Sequence, residues 1–218
     1  MISFETFLLF MIPVLLLGLS PGPGMLFVAS RALAQGRTMG IVSVFGLELG
    51  AVIHVIAATL GLSAIIVANP HLLILIQLFG GVYLIYLAMR EWHLKKINRH
   101  VASEHFKKDS AWQIFKQGII TSLVNPKITL FFFAFLPSFI DPNKNVPAQF
   151  LILGIIFNIT GIIINSAVVF IVAQVGQSRF LRGSGGSHFK SWVLISVFFG
   201  LGCITLLDAC RRIWQMYF

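Results

Sequence analysis

The sequence predicts an all-α, polytopic membrane protein whose six transmembrane helices form a 3+3 inverted repeat. Apolar residues make up 57% of the 218 positions and charged residues only 11%, which is too little charge to cover the surface of a water-soluble domain. The apolar residues gather in six runs of a length suited to a bilayer, and the basic residues lie in alternate connections between these runs. These three observations set the predicted fold class.

The six apolar runs follow one another from the N-terminus to the C-terminus. They cover 4–28, 40–67, 72–89, 116–140, 148–175 and 192–212. A helix needs roughly 20 residues to cross the hydrocarbon layer, so 72–89 is just long enough and the others suffice.

The first run is expected to stay in the mature protein. No Lys or Arg precedes position 31, and Glu5 stands where a signal peptide carries positive charge.

The net charge of +9 arises mainly from the connections on one side of the predicted topology. Twelve basic residues follow the first, third and fifth runs, whereas Lys144 alone lies in the opposite internal connections. The twelve are Arg31, Arg37, Arg90, Lys95, Lys96, Arg99, Lys107, Lys108, Lys116, Arg179, Arg182 and Lys190. This positive-inside pattern predicts that those three connections are cytoplasmic and both termini outside, although Arg211 and Arg212 weigh against it. Basic residues beside lipid headgroups account for the charge without a nucleic-acid partner.

A basic segment divides the chain almost in half. The predicted units are a first three-helix repeat at 1–89, a basic cytoplasmic loop at 90–115 and a second three-helix repeat at 116–218. Similar residues recur when the halves are aligned with different gaps. The aligned pairs are Pro23 with Pro126, Gly50 with Gly161, and Gly80 with Gly202. Because each copy holds an odd number of spans, the second copy is predicted to be inverted in the membrane.

Two proline motifs interrupt the first and the fourth apolar runs. They are Ser20-Pro21-Gly22-Pro23-Gly24 and Asn125-Pro126-Lys127. Proline removes backbone donors and glycine permits non-helical conformations, so a helix is expected to stop near Ser20 and to restart near Met25. Lipid cannot hydrogen-bond the freed backbone, and helix N-termini suit a carboxylate. The motifs therefore predict a substrate path lined by Pro21, Gly22, Pro23, Gly24, Asn125, Pro126 and Lys127. The alternative is that both motifs are interfacial turns of kinked or re-entrant segments.

Two charged residues stand inside the apolar runs. Lys127 lies between the polar residues Asn125 and Thr129, so it is expected either to neutralise an anion in a cavity or to reach the interface. Glu48 is costly to bury as a carboxylate, which makes it the candidate for proton coupling. The alternatives for Glu48 are a structural pair with Lys or Arg, or a position near the interface.

Four further polar residues are candidates for supporting roles: His54, Asn158, Asn165 and Asp208. His54 shares a small-residue face with Gly46 and Gly50, nearly opposite Glu48, so the two side chains are expected to meet different neighbours. Interhelical hydrogen bonding is favoured for the two asparagines, and an ion pair with Arg211 or Arg212 for Asp208. No nucleotide-binding or EF-hand motif occurs, and no cofactor or metal is expected.

Several stretches together resemble the lysine-exporter/threonine-efflux (LysE/RhtB) family. They are 21–28, 34–37, 46–54, 80–84 and 115–142, the last of which contains Asn125-Pro126-Lys127. The resemblance extends over essentially the whole chain. It implies a bacterial inner-membrane exporter of amino acids or close derivatives that lies in the lipid bilayer and uses the proton-motive force. It implies no ATPase subunit and no enzymatic activity.

The sequence departs from the family at two positions. Gly24 follows Pro-Gly-Pro where the family often has Asn, and Ala51 follows Gly50 where many members carry Asp. Glu48 precedes position 51 by one helical turn, and we hypothesise that it supplies the missing carboxylate. The expected substrate is a small zwitterionic or neutral amino acid whose carboxylate binds at the helix breaks and Lys127. The alternatives are export of a cation or another small metabolite and, outside transport, an integral-membrane enzyme or accessory subunit. Homo-oligomerisation is left open.

Overall fold

The computed structural model describes residues 2–68, 70–95, 109–182 and 187–217. All regular secondary structure in these ranges is helical, as predicted. The α-helices are α1 (Phe4–Leu19), α2 (Pro23–Ala57), α3 (Ser63–Ala68), α4 (Pro70–Lys95), α5 (Ala111–Leu123), α6 (Pro126–Leu130), α7 (Val146–Arg182) and α8 (Ser187–Tyr217). Turns of π-helix at Ala58–Leu62 and Phe131–Phe135 and a 3-10 turn at Leu136–Phe139 continue α2 and α6.

The chain leaves helical geometry between α1 and α2. Helix α1 ends at Leu19, and Ser20 is extended, with φ −72° and ψ 120°. Gly22 is also extended, and Pro23 starts α2. Proline suits this first helical position because its fixed φ fits a helix and the N–H that it lacks would have no partner there.

Helix α2 contains one break in its backbone. Gly36 has a φ of +83°, and a Cβ built on it would meet nothing within 4 Å. Glycine adopts this left-handed conformation without steric cost, so the chain changes direction there and continues as helix. The prediction of a loop that carries Arg31 between the first two spans is therefore wrong. Arg31 lies inside α2 and is only 7% exposed.

Within the described ranges, fewer helices are long and apolar enough to cross a membrane than the six that the sequence predicts. Two helices meet both criteria, Pro23–Ile66 and Val146–Gln174. A third span results if Ala111–Leu123 and Pro126–Phe139, which are bent by 48° relative to each other, are counted as one. Phe4–Leu19 and Ile74–Tyr86 are apolar but shorter. The count of six spans and their repeat symmetry thus stay predictions.

The basic loop predicted at 90–115 is shorter in the structure. Residues 90–95 belong to α4 and residues 111–115 to α5. Residues 96–108 lie outside the described part of the chain, together with the prediction for Lys96, Arg99, Lys107 and Lys108. Helix α5 begins with a capping box, in which Ser110 and Gln113 satisfy each other's backbone N–H groups.

Small residues set the distances between the central helices. Helix α2 packs against α5, where a Cβ on Gly46 would collide with the Phe115 carbonyl and one on Gly50 would lie 2.5 Å from Ser122 Cβ. Helix α4 packs against α8, where a Cβ on Gly202 would lie 2.9 Å from the Gly81 carbonyl oxygen. Contacts of this kind let helix backbones approach closely in a membrane protein.

An aromatic cluster fills the core beside the second helix break. Its members are Phe10, Phe131, Phe132, Phe135, Phe139 and Phe157. The rings of Phe131 and Phe157 stack with centroids 4.8 Å apart. This packing fixes α1, the region after α6, and α7 against one another around the site described next.

Candidate functional site

The two proline motifs meet in the folded protein. Lys127 Nζ donates a hydrogen bond of 2.7 Å to the backbone carbonyl of Ser20, which lies just beyond the end of α1. The lysine side chain runs beside Gly22, where a Cβ would lie in ordinary van der Waals contact, 3.5 Å from Lys127 Cδ. A direct contact therefore joins two breaks that are 107 residues apart in the sequence.

A cavity of about 60 Å³ lies at this meeting point. Residues of both breaks line it together with α2 and α7, and its volume is enough for water. Among the residues predicted for the substrate path, Gly22, Gly24, Asn125 and Lys127 line the cavity. Pro21, Pro23 and Pro126 are not among its lining residues and act on the backbone of the breaks instead.

Asn125 and Pro126 position Lys127 at the start of α6. The Asn125 side-chain oxygen accepts a hydrogen bond of 3.1 Å from the Lys127 backbone N–H, and Pro126 occupies the first helical position. This cap directs the lysine side chain back toward α1. Within the described residues, Lys127 has no carboxylate at ion-pair distance.

Glu48 lines the same cavity from α2. It is 6% exposed, and its Oε1 accepts a hydrogen bond of 2.9 Å from Asn165 Nδ2 on α7. A Cβ built on Gly161 would lie 2.7 Å from each carboxylate oxygen, so the bare glycine makes room for this group. No Lys or Arg in the described ranges forms an ion pair with Glu48. The structural ion pair considered as an alternative is therefore not what holds it there.

Sequence reasoning did not assign side-chain roles to Ser20 or Gly161. Ser20 is fully buried and lines the cavity, and its hydroxyl has no hydrogen-bond partner among the described residues. Gly161 lines the cavity beside Glu48. The alignment of Gly161 with Gly50 was the available signal for this position, whereas nothing in the sequence indicated that the Ser20 hydroxyl is buried without a partner among the described residues.

Of the four candidate supporting residues, Asn165 lines the cavity and the other three do not. His54 Nε2 lies 3.3 Å from the Ser122 carbonyl oxygen, and its ring stacks on Phe132. Asn158 donates to a carbonyl of its own helix. Asp208 forms the expected ion pair with Arg212, at 3.0 Å. As expected, His54 and Glu48 contact different neighbours.

A second group of buried polar side chains joins α2 to the start of α5. We call it the Arg31 cluster (Arg31, Gln35, Asp109 and Gln117). The Arg31 guanidinium lies 2.8 Å from the Asp109 carboxylate and donates to Gln117. Gln35 binds both the Asp109 backbone and Arg31. Sequence reasoning missed this cluster because Arg31 and Asp109 both fell in segments predicted to be loops.

The fold and the site together define a class of protein. Large apolar side chains are exposed on helices suited to a bilayer, and the bundle contains a cavity between interrupted helices that charged and polar side chains line in part. An integral-membrane transport protein has these properties.

Comparisons with known proteins identify the family within this class. The family model described as LysE type translocator matches residues 15–208, so the chain belongs to this family. Its members are transporters, so the integral-membrane enzyme considered as an alternative is excluded. No solved structure matches the chain.

Named relatives agree with this assignment. The chain is 29% identical to a homoserine/homoserine lactone efflux protein of Salmonella typhimurium, over 80% of this chain and 82% of the relative. It is 30% identical to a threonine efflux protein of the same organism, over 63% of this chain and 68% of the relative. A Vibrio cholerae membrane protein is 26% identical over 92% of this chain and 96% of the relative.

Proposed function

We propose that this protein exports small amino acids or close derivatives across the bacterial inner membrane in exchange for protons. The observation that carries the proposal is the cavity in which the two helix breaks meet. It contains one acidic and one basic side chain, Glu48 and Lys127, and neither forms an ion pair within the described residues. Unpaired charges in the interior of a membrane protein are costly and typically serve substrate or ion movement.

Lys127 and the first break form the proposed carboxylate end of the site. The Lys127 ammonium is held by a carbonyl oxygen, which a substrate carboxylate can replace with a stronger, charge-assisted bond. Ser20, whose buried hydroxyl has no hydrogen-bond partner among the described residues, lines the same cavity together with Gly24 and Met25 from the first turn of α2. These groups offer donors to the second carboxylate oxygen.

Glu48 is the proposed coupling group. Glu48 lines the cavity from α2, and its carboxylate meets an amide rather than a cation. A proton would neutralise it when the substrate is absent, and protonation and release on opposite sides would drive export.

The relatives support an amino-acid substrate. Homoserine, homoserine lactone and threonine, the compounds in their names, are small and carry an amino group on Cα. The lactone has no free carboxylate. We propose the same chemical range for this protein, which favours it over a general cation exporter.

We further propose six spans in a 3+3 inverted repeat, with the connections after the first, third and fifth spans in the cytoplasm and both termini outside. Two contacts support pseudo-symmetry: Lys127 binds Ser20 across the two breaks, and Gly81 packs on Gly202 close to the aligned glycine pair. The distribution of basic residues supports the sidedness.

An export assay tests the proposal. Cells that produce the protein are loaded with a panel of labelled amino acids, and initial efflux is compared between the wild type and Lys127→Ala. The control is Lys144→Ala, because Lys144 is an exposed lysine paired locally with Asp141. We expect rapid efflux of at least one small amino acid for the wild type and the control, and about tenfold or greater loss for Lys127→Ala, since a charge-assisted contact is removed. Equal efflux of every compound from all three strains and from cells without the protein would reject the exporter.

A further inference from the structure

We propose that Glu48, oriented by Asn165, binds the protonated amino group of the transported molecule directly. The inference rests on the proposed export function and deepens it. It makes a free ammonium on the substrate a requirement for binding, in addition to any role of Glu48 in proton coupling.

Glu48 has an incomplete set of partners. The residue is only 6% exposed, yet it lines the cavity. Oε1 accepts one hydrogen bond from Asn165, and Oε2 accepts none from the described residues. A buried carboxylate is stable only with a cation, a proton or several donors. One neutral amide leaves room for a ligand that brings positive charge.

Helix α7 holds the Glu48 carboxylate in two ways. Asn165 Nδ2 donates a hydrogen bond to Oε1. Gly161, one turn earlier on the same helix, lies so close that a Cβ would be 2.7 Å from both oxygens. Helix α7 thus presents a donor and a bare backbone to Glu48, which also lines the cavity. Asn165 is in this sense a positioning residue.

The charges of the cavity are balanced. Lys127 lines the same cavity as Glu48 and binds the Ser20 carbonyl rather than the Glu48 carboxylate. A cavity with one cation and one anion held apart is complementary to a zwitterion, whose ammonium and carboxylate are separated by one carbon atom. A proton alone would satisfy Glu48 but would leave the Lys127 side without an anion. One α-amino acid satisfies both.

Binding to the purified protein tests this inference without any need for a proton gradient. Ligand binding is measured as the rise in unfolding temperature of the full-length protein in detergent. The probes are threonine, threonine methyl ester, which keeps the ammonium and lacks the carboxylate charge, and N-acetylthreonine, which keeps the carboxylate and lacks the ammonium. We expect threonine and its methyl ester to stabilise the wild type and N-acetylthreonine to have no effect at equal concentration.

Substitutions of Glu48 and Asn165 test whether these two residues bind the ammonium group. Glu48→Gln is expected to weaken binding of the methyl ester by about tenfold or more, which is the loss typical of a hydrogen bond to a charged group. Asn165→Ala is expected to weaken it less. Asn158→Ala is the matched control, because Asn158 lies on the same helix, does not line the cavity, and donates to the Gly154 carbonyl of its own helix. It is expected to bind like the wild type.

Two results would overturn the inference. Binding of N-acetylthreonine as tight as that of threonine would show that the ammonium is not recognised, and the exporter itself would survive. Unchanged binding of the methyl ester by both Glu48→Gln and Asn165→Ala would remove these residues from the site. If the wild type neither bound nor exported any amino acid, the proposed function would fail and this inference would fail with it.

Discussion

The cavity and the Arg31 cluster are both groups of buried polar side chains, and they differ in how their charges are satisfied. In the Arg31 cluster, the guanidinium meets the Asp109 carboxylate at 2.8 Å and also binds two glutamines. In the cavity, Glu48 meets an amide and Lys127 meets a carbonyl. The first arrangement pairs its opposite charges without a ligand and joins two helices. The second leaves both charges available, as a site for a charged molecule requires.

The largest expected effect is the loss of export in Glu48→Gln. The substitution keeps the shape of the side chain and a hydrogen-bonding partner for Asn165, while it removes the negative charge. We predict that efflux of the best substrate falls to the level of cells without the protein, whereas the amount in the membrane is unchanged. Glu5→Gln, which alters an exposed residue near the N-terminus, is the control. Full export by Glu48→Gln would mean that this unpaired charge is not functional.

Gly161→Ala should also impair export, by displacing the same carboxylate. The added methyl group would press on both oxygens of Glu48, and overpacking of this kind costs roughly 1–3 kcal/mol. We expect a reduced initial rate of efflux together with a modest drop in unfolding temperature. Gly200→Ala is the matched control, because a Cβ there meets nothing within 4 Å. Identical rates for both alanine variants would contradict the proposed position of Glu48.

Arg31→Met tests whether the Arg31 cluster stabilises the fold. Removal of the guanidinium leaves the Asp109 carboxylate, which is about a quarter exposed, without its cation. Because that exposure lets water screen part of the loss, we expect a decrease of about 1–3 kcal/mol in the free energy of unfolding rather than the full effect of a buried pair. Denaturant unfolding in detergent measures it. Arg37→Met, at an exposed position on the same helix, should change stability by much less. An equal effect of the two variants would show that the cluster does not stabilise the fold.

The smallest effect is expected at a third polar group, around Asp208. Arg212 and Gln77 both bond to the Asp208 carboxylate, and Asp208 and Arg212 are partly exposed. Asp208→Asn should therefore cost about 1 kcal/mol or less in stability and leave export intact. The unfolding temperature and the efflux rate are both measured on the same preparation. A strong loss of export at unchanged stability would place Asp208 in the transport path and weaken the distinction between paired and unpaired charges.

Apolar runs and sparse charge in the sequence were sufficient to predict the helical class, and the resemblance of its motifs predicted the family. The proline motifs stand where helices end and begin because proline and glycine act on their own backbone. The contact between Glu48 and Asn165 was not predictable in the same way. It depends on the rotation of α2 about its axis relative to α7, which a single sequence does not encode locally.

The incorrect placement of Arg31 has a similar physical cause. The first apolar run, 4–28, ends shortly before this charged residue. A loop is the simplest interpretation of such a change in hydropathy. In the structure, Gly36 turns the chain while the helix continues on both sides, and Asp109 supplies the charge that makes burial of Arg31 tolerable. The partner lies 78 residues away in the sequence, so no local pattern could reveal it.

The most direct test of the account is the export rate per folded molecule, measured in proteoliposomes for the wild type, Glu48→Gln and Arg31→Met at a temperature at which all three are folded. If the unpaired cavity charge serves transport and the paired cluster serves stability, Glu48→Gln will be inactive, and Arg31→Met will transport close to the wild-type rate despite its lower unfolding temperature. The reverse result, an active Glu48→Gln and a folded but inactive Arg31→Met, would contradict the account.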